Sequence, residues 1–212
     1  MLPRVGRPRL HDDVLRDRLR DRAAQIISAD GQRALSLRGL AADVGTSTAA
    51  VYTLFGGKRG LLAAVYRDAF GRLAARLSDV AESDDPIDDL VRLGLAYRQA
   101  AVDDPAGYQV IFGGGLGPED VTEADSRAAG HTFDTLLDAV RRAVAADRLP
   151  TTPQPAAIAT ALWGNVHGLV SLELIGTLPP SAVDPGTVFE AAVRAFVAGW
   201  ATPTAPEAAS LR

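Results

Sequence analysis

The sequence predicts an all-α protein, a three-helix unit at the N-terminus followed by a helical bundle. Apolar residues recur at three- and four-residue spacing along most of the chain, and no alternating strand pattern stands out. Proline, glycine and short polar clusters interrupt that periodicity where helices would end. Charge also divides the chain, into a basic N-terminal third and an acidic remainder. Residues 1–67 hold 12 Arg or Lys and 6 Asp or Glu, a net of +6, whereas residues 68–212 hold 10 and 20, a net of −10. The overall net charge of −4 therefore hides a basic first third, which points to a polyanion partner. An alternative for part of that charge is a solvated face, because Arg16, Arg18, Arg20 and Arg22 alternate with Asp17 and Asp21.

The first helix is expected over residues 12–29, with Leu15, Leu19, Ala23, Ile26 and Ile27 on one face. Leu37, Leu40, Ala41 and Val44 form the stripe of a second, short helix. Gly45 can end it with a positive φ, and Ser47 can cap a third helix over 48–55. Val51 and Phe55 then face inward. Thr48, Ala49, Ala50 and Thr53 face out as short side chains that permit close approach to base edges. This is the layout of a helix-turn-helix whose second helix enters the major groove.

Gly45 and Ser47, followed by Val51-Tyr52, Phe55, Lys58 and Leu61-Leu62, resemble the DNA-binding segment of TetR-family regulators. Ala23-Ala24, Ile26-Ile27 and Gly31 are similar to the family's first helix and its end, and Ser36 to the cap of its second. The sequence departs from the family at Thr46, at Gly39, where an acidic capping partner is common, and at Gly56-Gly57. The resemblance implies a DNA-binding domain over residues 1–57, with Arg7, Arg9, Arg38, Ser47, Thr48, Ala49, Ala50, Tyr52, Thr53 and Lys58 at the nucleic acid. In it, Tyr52 and Lys58 are expected on phosphates. Residues 4–9 are expected as an extended basic arm, since Arg7-Pro8-Arg9 is too extended for a helix.

The body, residues 58–202, is expected to hold helices over 58–81, 87–102, 106–112, 119–147, 156–175 and 185–201, with a tail at 203–212. The glycine-rich stretch 113–118 reads as a loop. Residues 156–175 are apolar nearly all round and so must be covered on more than one side. The last helix carries Phe189, Val193, Phe196 and Trp200 on one stripe and small residues, Ala191, Ala192, Ala195, Ala198 and Gly199, on the other. Two non-polar faces suit a core and a partner. The resemblance implies the same, since TetR-family proteins pair through their last two helices. The expected partners are therefore a second copy, a palindromic DNA duplex and a small apolar effector.

Trp163 and His167-Gly168 resemble the Trp-His-Gly signature of one class of TetR-family C-terminal domains. With Tyr97, Tyr108, Phe112 and Phe133 they are candidate walls of an apolar pocket. A core histidine satisfied by a neighbour is the competing reading of His167. No HExxH, no metal-ligand spacing and no complete phosphate-binding loop occurs, so neither cofactor nor metal is expected. There is no cysteine, which leaves no disulfide framework. No run of 18 apolar residues and no apolar leader stands out, so a cytoplasmic protein without a membrane span is expected. A second reading stays open at this point: a helical ligand-binding protein or enzyme whose basic N-terminus is incidental.

Overall fold

The computed structural model describes residues 9–113, 123–178 and 184–202. Among them lie nine α-helices and one 3-10 turn, the all-α class that the periodicity predicts. The helices are α1 (Arg9–Asp30), α2 (Leu37–Val44), α3 (Thr48–Phe55), α4 (Lys58–Ser78), α5 (Pro86–Asp103), α6 (Pro105–Phe112), α7 (Glu123–Ala145), α8 (Pro155–Ile175) and α9 (Pro185–Trp200), with the 3-10 turn at Gln32–Ala34. Arg7, most of the glycine-rich loop and the tail lie outside the described residues. Arg9, expected in an extended arm, instead opens α1.

The chain forms two compact units, one within residues 1–72 and 104–129, the other within 73–103 and 130–212. This division passes through α4 rather than falling at residue 57. It also places α6 with the N-terminal helices. The reason is packing: Val110 of α6 is buried in the same apolar cluster as Leu19 and Ile27 of α1, Leu40 of α2, Val51 of α3 and Leu61 of α4, and Ile111 packs against it.

In the first unit, local capping explains the helix boundaries. The Ser36 hydroxyl accepts the Gly39 N–H at 3.1 Å and starts α2. A Cβ at Gly39 would stand 2.9 Å from that Ser36 oxygen, so glycine leaves the cap room. Gly45 takes φ 72°, and the Thr46 N–H reaches back to the Ala41 carbonyl at 2.8 Å, which closes α2. The alternating charges of α1 are largely engaged inside this unit. Arg18 donates to the Val44 carbonyl at 3.0 Å, Arg22 pairs with Asp43 at 2.8 Å, and Arg20 pairs with Asp17, Asp21 and Asp68. The Arg16 guanidinium stands 5.4 Å from the centre of the Phe55 ring. These four arginines tie α1 to its neighbours.

The second unit buries Leu90, Leu93 and Tyr97 of α5, Val140 of α7, Ile158, Leu162, Val166 and Val170 of α8, and Phe189, Val193 and Val197 of α9. Val197, not Phe196, completes the buried stripe of α9; Phe196 and Trp200 are half-buried. Among the described residues Asp89 is the buried charged one, at 2% exposure. Its carboxylate accepts from the Ser83 hydroxyl at 2.6 Å, from the Ser83 N–H and from Arg92, and Arg142 approaches at 3.4 Å. Burial opposes ionisation of Asp89, but the Ser83 and Arg92 hydrogen bonds outweigh it and hold the carboxyl below its usual range.

Helix α8 comes closer to a membrane span than the sequence reading allowed. It is long and apolar enough by length and composition, with mean hydropathy 1.3 over its most apolar window, of which 28% is buried. Ile175 is 71% exposed, and Leu172 and Trp163 also reach the surface. The exposed side of α9 carries Val188, Ala191, Ala195, Ala198 and Gly199.

Candidate functional site

Helices α2 and α3 and the turn between them form the helix-turn-helix. The Ser47 hydroxyl accepts the Ala50 N–H at 3.2 Å and starts α3. Val51 has no exposed surface and fixes which side of α3 faces the core. Ser47, Thr48, Ala49, Tyr52 and Thr53 are accordingly exposed, and Ala50 is half-buried. Phe55 is also half-buried, under Arg16.

Tyr52 is 60% exposed. A Cβ on Gly57 would stand 3.1 Å from its ring, so the ring rests against a bare backbone. The Thr53 hydroxyl is turned back and donates to the Ala49 carbonyl at 2.9 Å. Arg38 is exposed on α2, and Arg33 is exposed on the 3-10 turn.

Lys58 departs most from its expected setting. Its ammonium donates to the carbonyls of Leu35, at 2.5 Å, and Gln32, at 3.4 Å. It thereby ties the start of α4 to the turn before α2. An ammonium has three donors, so two are engaged within the fold. The 3-10 turn and the Leu35 that follows it, which supply these carbonyls, leave no periodic signal in the sequence, which is why the tether was not legible there.

The six candidate pocket residues separate. Tyr97, Phe133, Trp163 and His167 converge in the second unit. The Tyr97 hydroxyl and His167 Nδ1 share a hydrogen bond at 3.1 Å, the Trp163 and His167 rings are 5.7 Å apart, and the Phe133 and Trp163 rings 6.3 Å apart. Burial pushes the His167 imidazole below its ordinary pKa. Beside Tyr97, Arg98 makes a two-point ion pair with Glu173 at 2.8 and 2.6 Å, and this hydrogen bonding raises the arginine's pKa. Tyr108 and Phe112 instead belong to the first unit, where Phe112 packs edge-on against Phe70 at 6.2 Å.

The second unit also holds a cleft of about 400 Å³, lined by Leu77, Val80 and Leu93 together with Glu82, Asp89 and Arg142 among others. Arg142 pairs with Glu82 at 2.7 Å and with Asp89, so its charges are matched internally. Among the described residues, no group of three or more His, Cys, Asp or Glu is arranged to hold a metal ion.

A buried Val51 stripe, two serine-capped short helices and an outward face of small residues define a helix-turn-helix protein. Comparison with known proteins places it further. The family profile described as bacterial regulatory proteins, tetR family, matches residues 19–65, and that of the tetracyclin repressor-like C-terminal domain matches residues 90–196. The chain belongs to the TetR family and is a transcriptional regulator with a helix-turn-helix DNA-binding domain. It is 27% identical over 224 residues to an HTH-type transcriptional regulator of Mycobacterium tuberculosis, covering 92% of this chain and 96% of that one. Among solved structures, a protein of unknown function from Rhodococcus sp. RHA1 is 27% identical with a TM-score of 0.77, covering 89% of this chain and 96% of the other. The TetR-family transcriptional regulator PfmR of Thermus thermophilus, at 22% identity, shares the fold with a TM-score of 0.69 over 85% of this chain and 97% of its own.

Proposed function

We propose that the protein is a repressor that binds a palindromic operator as a homodimer and is released by a small, largely apolar effector held in its body. The observation that carries the DNA half of this reading is the exposed face of α3, with Val51 anchored behind it. Short side chains let such a helix approach base edges. Tyr52, the remaining donor of Lys58, and Arg38 supply phosphate contacts beside it. Arg7 and Arg9 add groove or backbone contacts at the N-terminal side.

The dimer reading is supported by the apolar surface left open on the last two helices. Ile175, Leu172 and Trp163 on α8, and the small-residue face of α9, are what a second copy would cover. One helix-turn-helix alone offers few base contacts, so two recognition helices on a two-fold operator fit the function. The effector reading rests on Tyr97, Phe133, Trp163 and His167, whose rings converge in the body. An effector would act by favouring a conformer that no longer matches the operator.

The test is enrichment of bound duplexes from a random pool, followed by a salt-dependent mobility shift with the selected sequence. A palindromic consensus bound by two subunits is the expected result. Failure to enrich any sequence would sink the reading. For the body, titration with the apolar fluorophore 1-anilinonaphthalene-8-sulfonate, read by tryptophan quenching and loss of the shifted band, tests the effector site.

A further inference from the structure

We propose that α3 reads its operator through the 5-methyl groups of pyrimidines rather than through paired hydrogen bonds to base edges. This inference rests on the DNA-binding reading above. Direct readout by hydrogen-bond pairs uses arginine or lysine on guanine, asparagine or glutamine on adenine, and a carboxylate on cytosine. The segment from Gly45 to Gly57 contains none of these side chains. The nearest long polar residues on either side are engaged within the fold: Asp43 pairs with Arg22 at 2.8 Å, and Lys58 donates to Leu35.

Apart from the exposed hydroxyls of Thr48 and Tyr52, what α3 offers is apolar. The Thr53 hydroxyl donates to the Ala49 carbonyl at 2.9 Å, so its hydrogen is unavailable to a base. The Ser47 oxygen caps the helix on the Ala50 N–H. Ala49, whose methyl is Cβ, and Thr53, whose methyl is Cγ2, lie one turn apart on the exposed face, with the Thr48 methyl and the Tyr52 ring on exposed neighbours. In the major groove, the complementary feature is the methyl that thymine carries and that cytosine and uracil lack.

The experiment uses the full-length protein and a duplex selected from a random pool. That duplex is resynthesised with deoxyuridine in place of each half-site thymidine in turn. Burial of one methyl group corresponds to about fourfold in affinity, and changing the same position in both half-sites to about fifteenfold. Replacing a contacted thymine by cytosine should weaken binding, and 5-methylcytosine at the same place should recover about the fourfold due to the methyl. Thr53→Ser, which keeps the hydroxyl and removes the methyl, should bring the thymine-over-uracil ratio at one position towards one. Thr53→Val, which keeps a methyl and removes the hydroxyl, should preserve that ratio. Equal binding of thymine and uracil duplexes overturns the proposal, as does a ratio lost in Thr53→Val and kept in Thr53→Ser. If no sequence is enriched from the pool, the DNA-binding reading itself fails and this inference with it.

Discussion

The ammonium of Lys58 lies 2.5 Å from the carbonyl oxygen of Leu35, and it joins the first turn of α4 to the segment that leads into α2. Both ends of the helix-turn-helix are thus held by one side chain. A hydrogen bond from a charged donor contributes about 1.5–3 kcal/mol. Lys58→Ala should therefore lower stability by roughly 1–3 kcal/mol in the absence of DNA, measured by thermal or denaturant unfolding. The same variant should reduce the slope of log affinity against log salt by about one unit per subunit, through loss of the proposed phosphate contact. The two readouts separate the tether from the contact.

Ser47 sets where the recognition helix begins. Its cap on Ala50 is worth about 1 kcal/mol. Ser47→Ala should cost that much in stability, and Ser47→Asp should retain most of it because aspartate caps equally well. Since a frayed first turn displaces Thr48 and Ala49 together, Ser47→Ala should also weaken the operator more than random duplex. Equal losses on both would show that the cap serves only the fold.

Much of this was visible in the sequence. Helix 48–55, its serine cap and its outward face follow from Val51, Ser47 and the small residues, because short-range capping and periodicity decide them. The buried side of α9 was nearly legible, but spacing alone could not choose between Phe196 and Val197 as the third inward residue. The roles of the α1 arginines were not legible. Whether Arg18, Arg20 and Arg22 meet solvent, DNA or their own chain depends on tertiary neighbours such as Val44, Asp68 and Asp43. The aromatic set divided for the same reason. Tyr97 and Tyr108 look alike in composition, yet α6 packs on α1 while α5 packs on α8 and α9.

The exposed small-residue face of α9 makes a sharp prediction for assembly. Ala195 and Gly199 stand one turn apart and exposed. Ala195→Glu and Gly199→Arg add bulk and charge to that face without touching the buried Phe189, Val193 and Val197. Both variants should remain folded by circular dichroism, run as monomers by light scattering, and lose specific operator binding. A dimer that survives in both would put the seam on another surface.

Asp89 is the centre of a buried charge network, and its loss leaves Arg92 and Arg142 without their shared partner. Breaking a buried pair costs about 3–5 kcal/mol, and the partial exposure of both arginines puts Asp89→Ala near the lower figure, about 3 kcal/mol. Its carboxyl pKa is lower in the folded state, so Asp89 adds stability above the ordinary carboxylate pKa. That stability is lost as pH falls through the depressed folded value. The acid limb of the wild-type unfolding curve should therefore be shallower in Asp89→Ala. Equal acid limbs would mean that other carboxylates carry the transition.

His167 should respond to pH in the near-neutral range. Burial favours its uncharged form, so its folded pKa lies below the unfolded one. The unfolded chain then binds the proton more readily, and stability rises with pH across the interval between the two values. Melting temperature should accordingly fall as pH drops below about 6.5, the ordinary imidazole value. His167→Asn removes the titration while leaving a polar group for the Tyr97 hydroxyl, 3.1 Å away in the native protein. Its melting temperature should be flatter from neutral to mildly acidic pH, with the helical fold retained. A His167→Asn protein whose slope matches the wild type would show that this imidazole is equally solvated in the folded and unfolded chains.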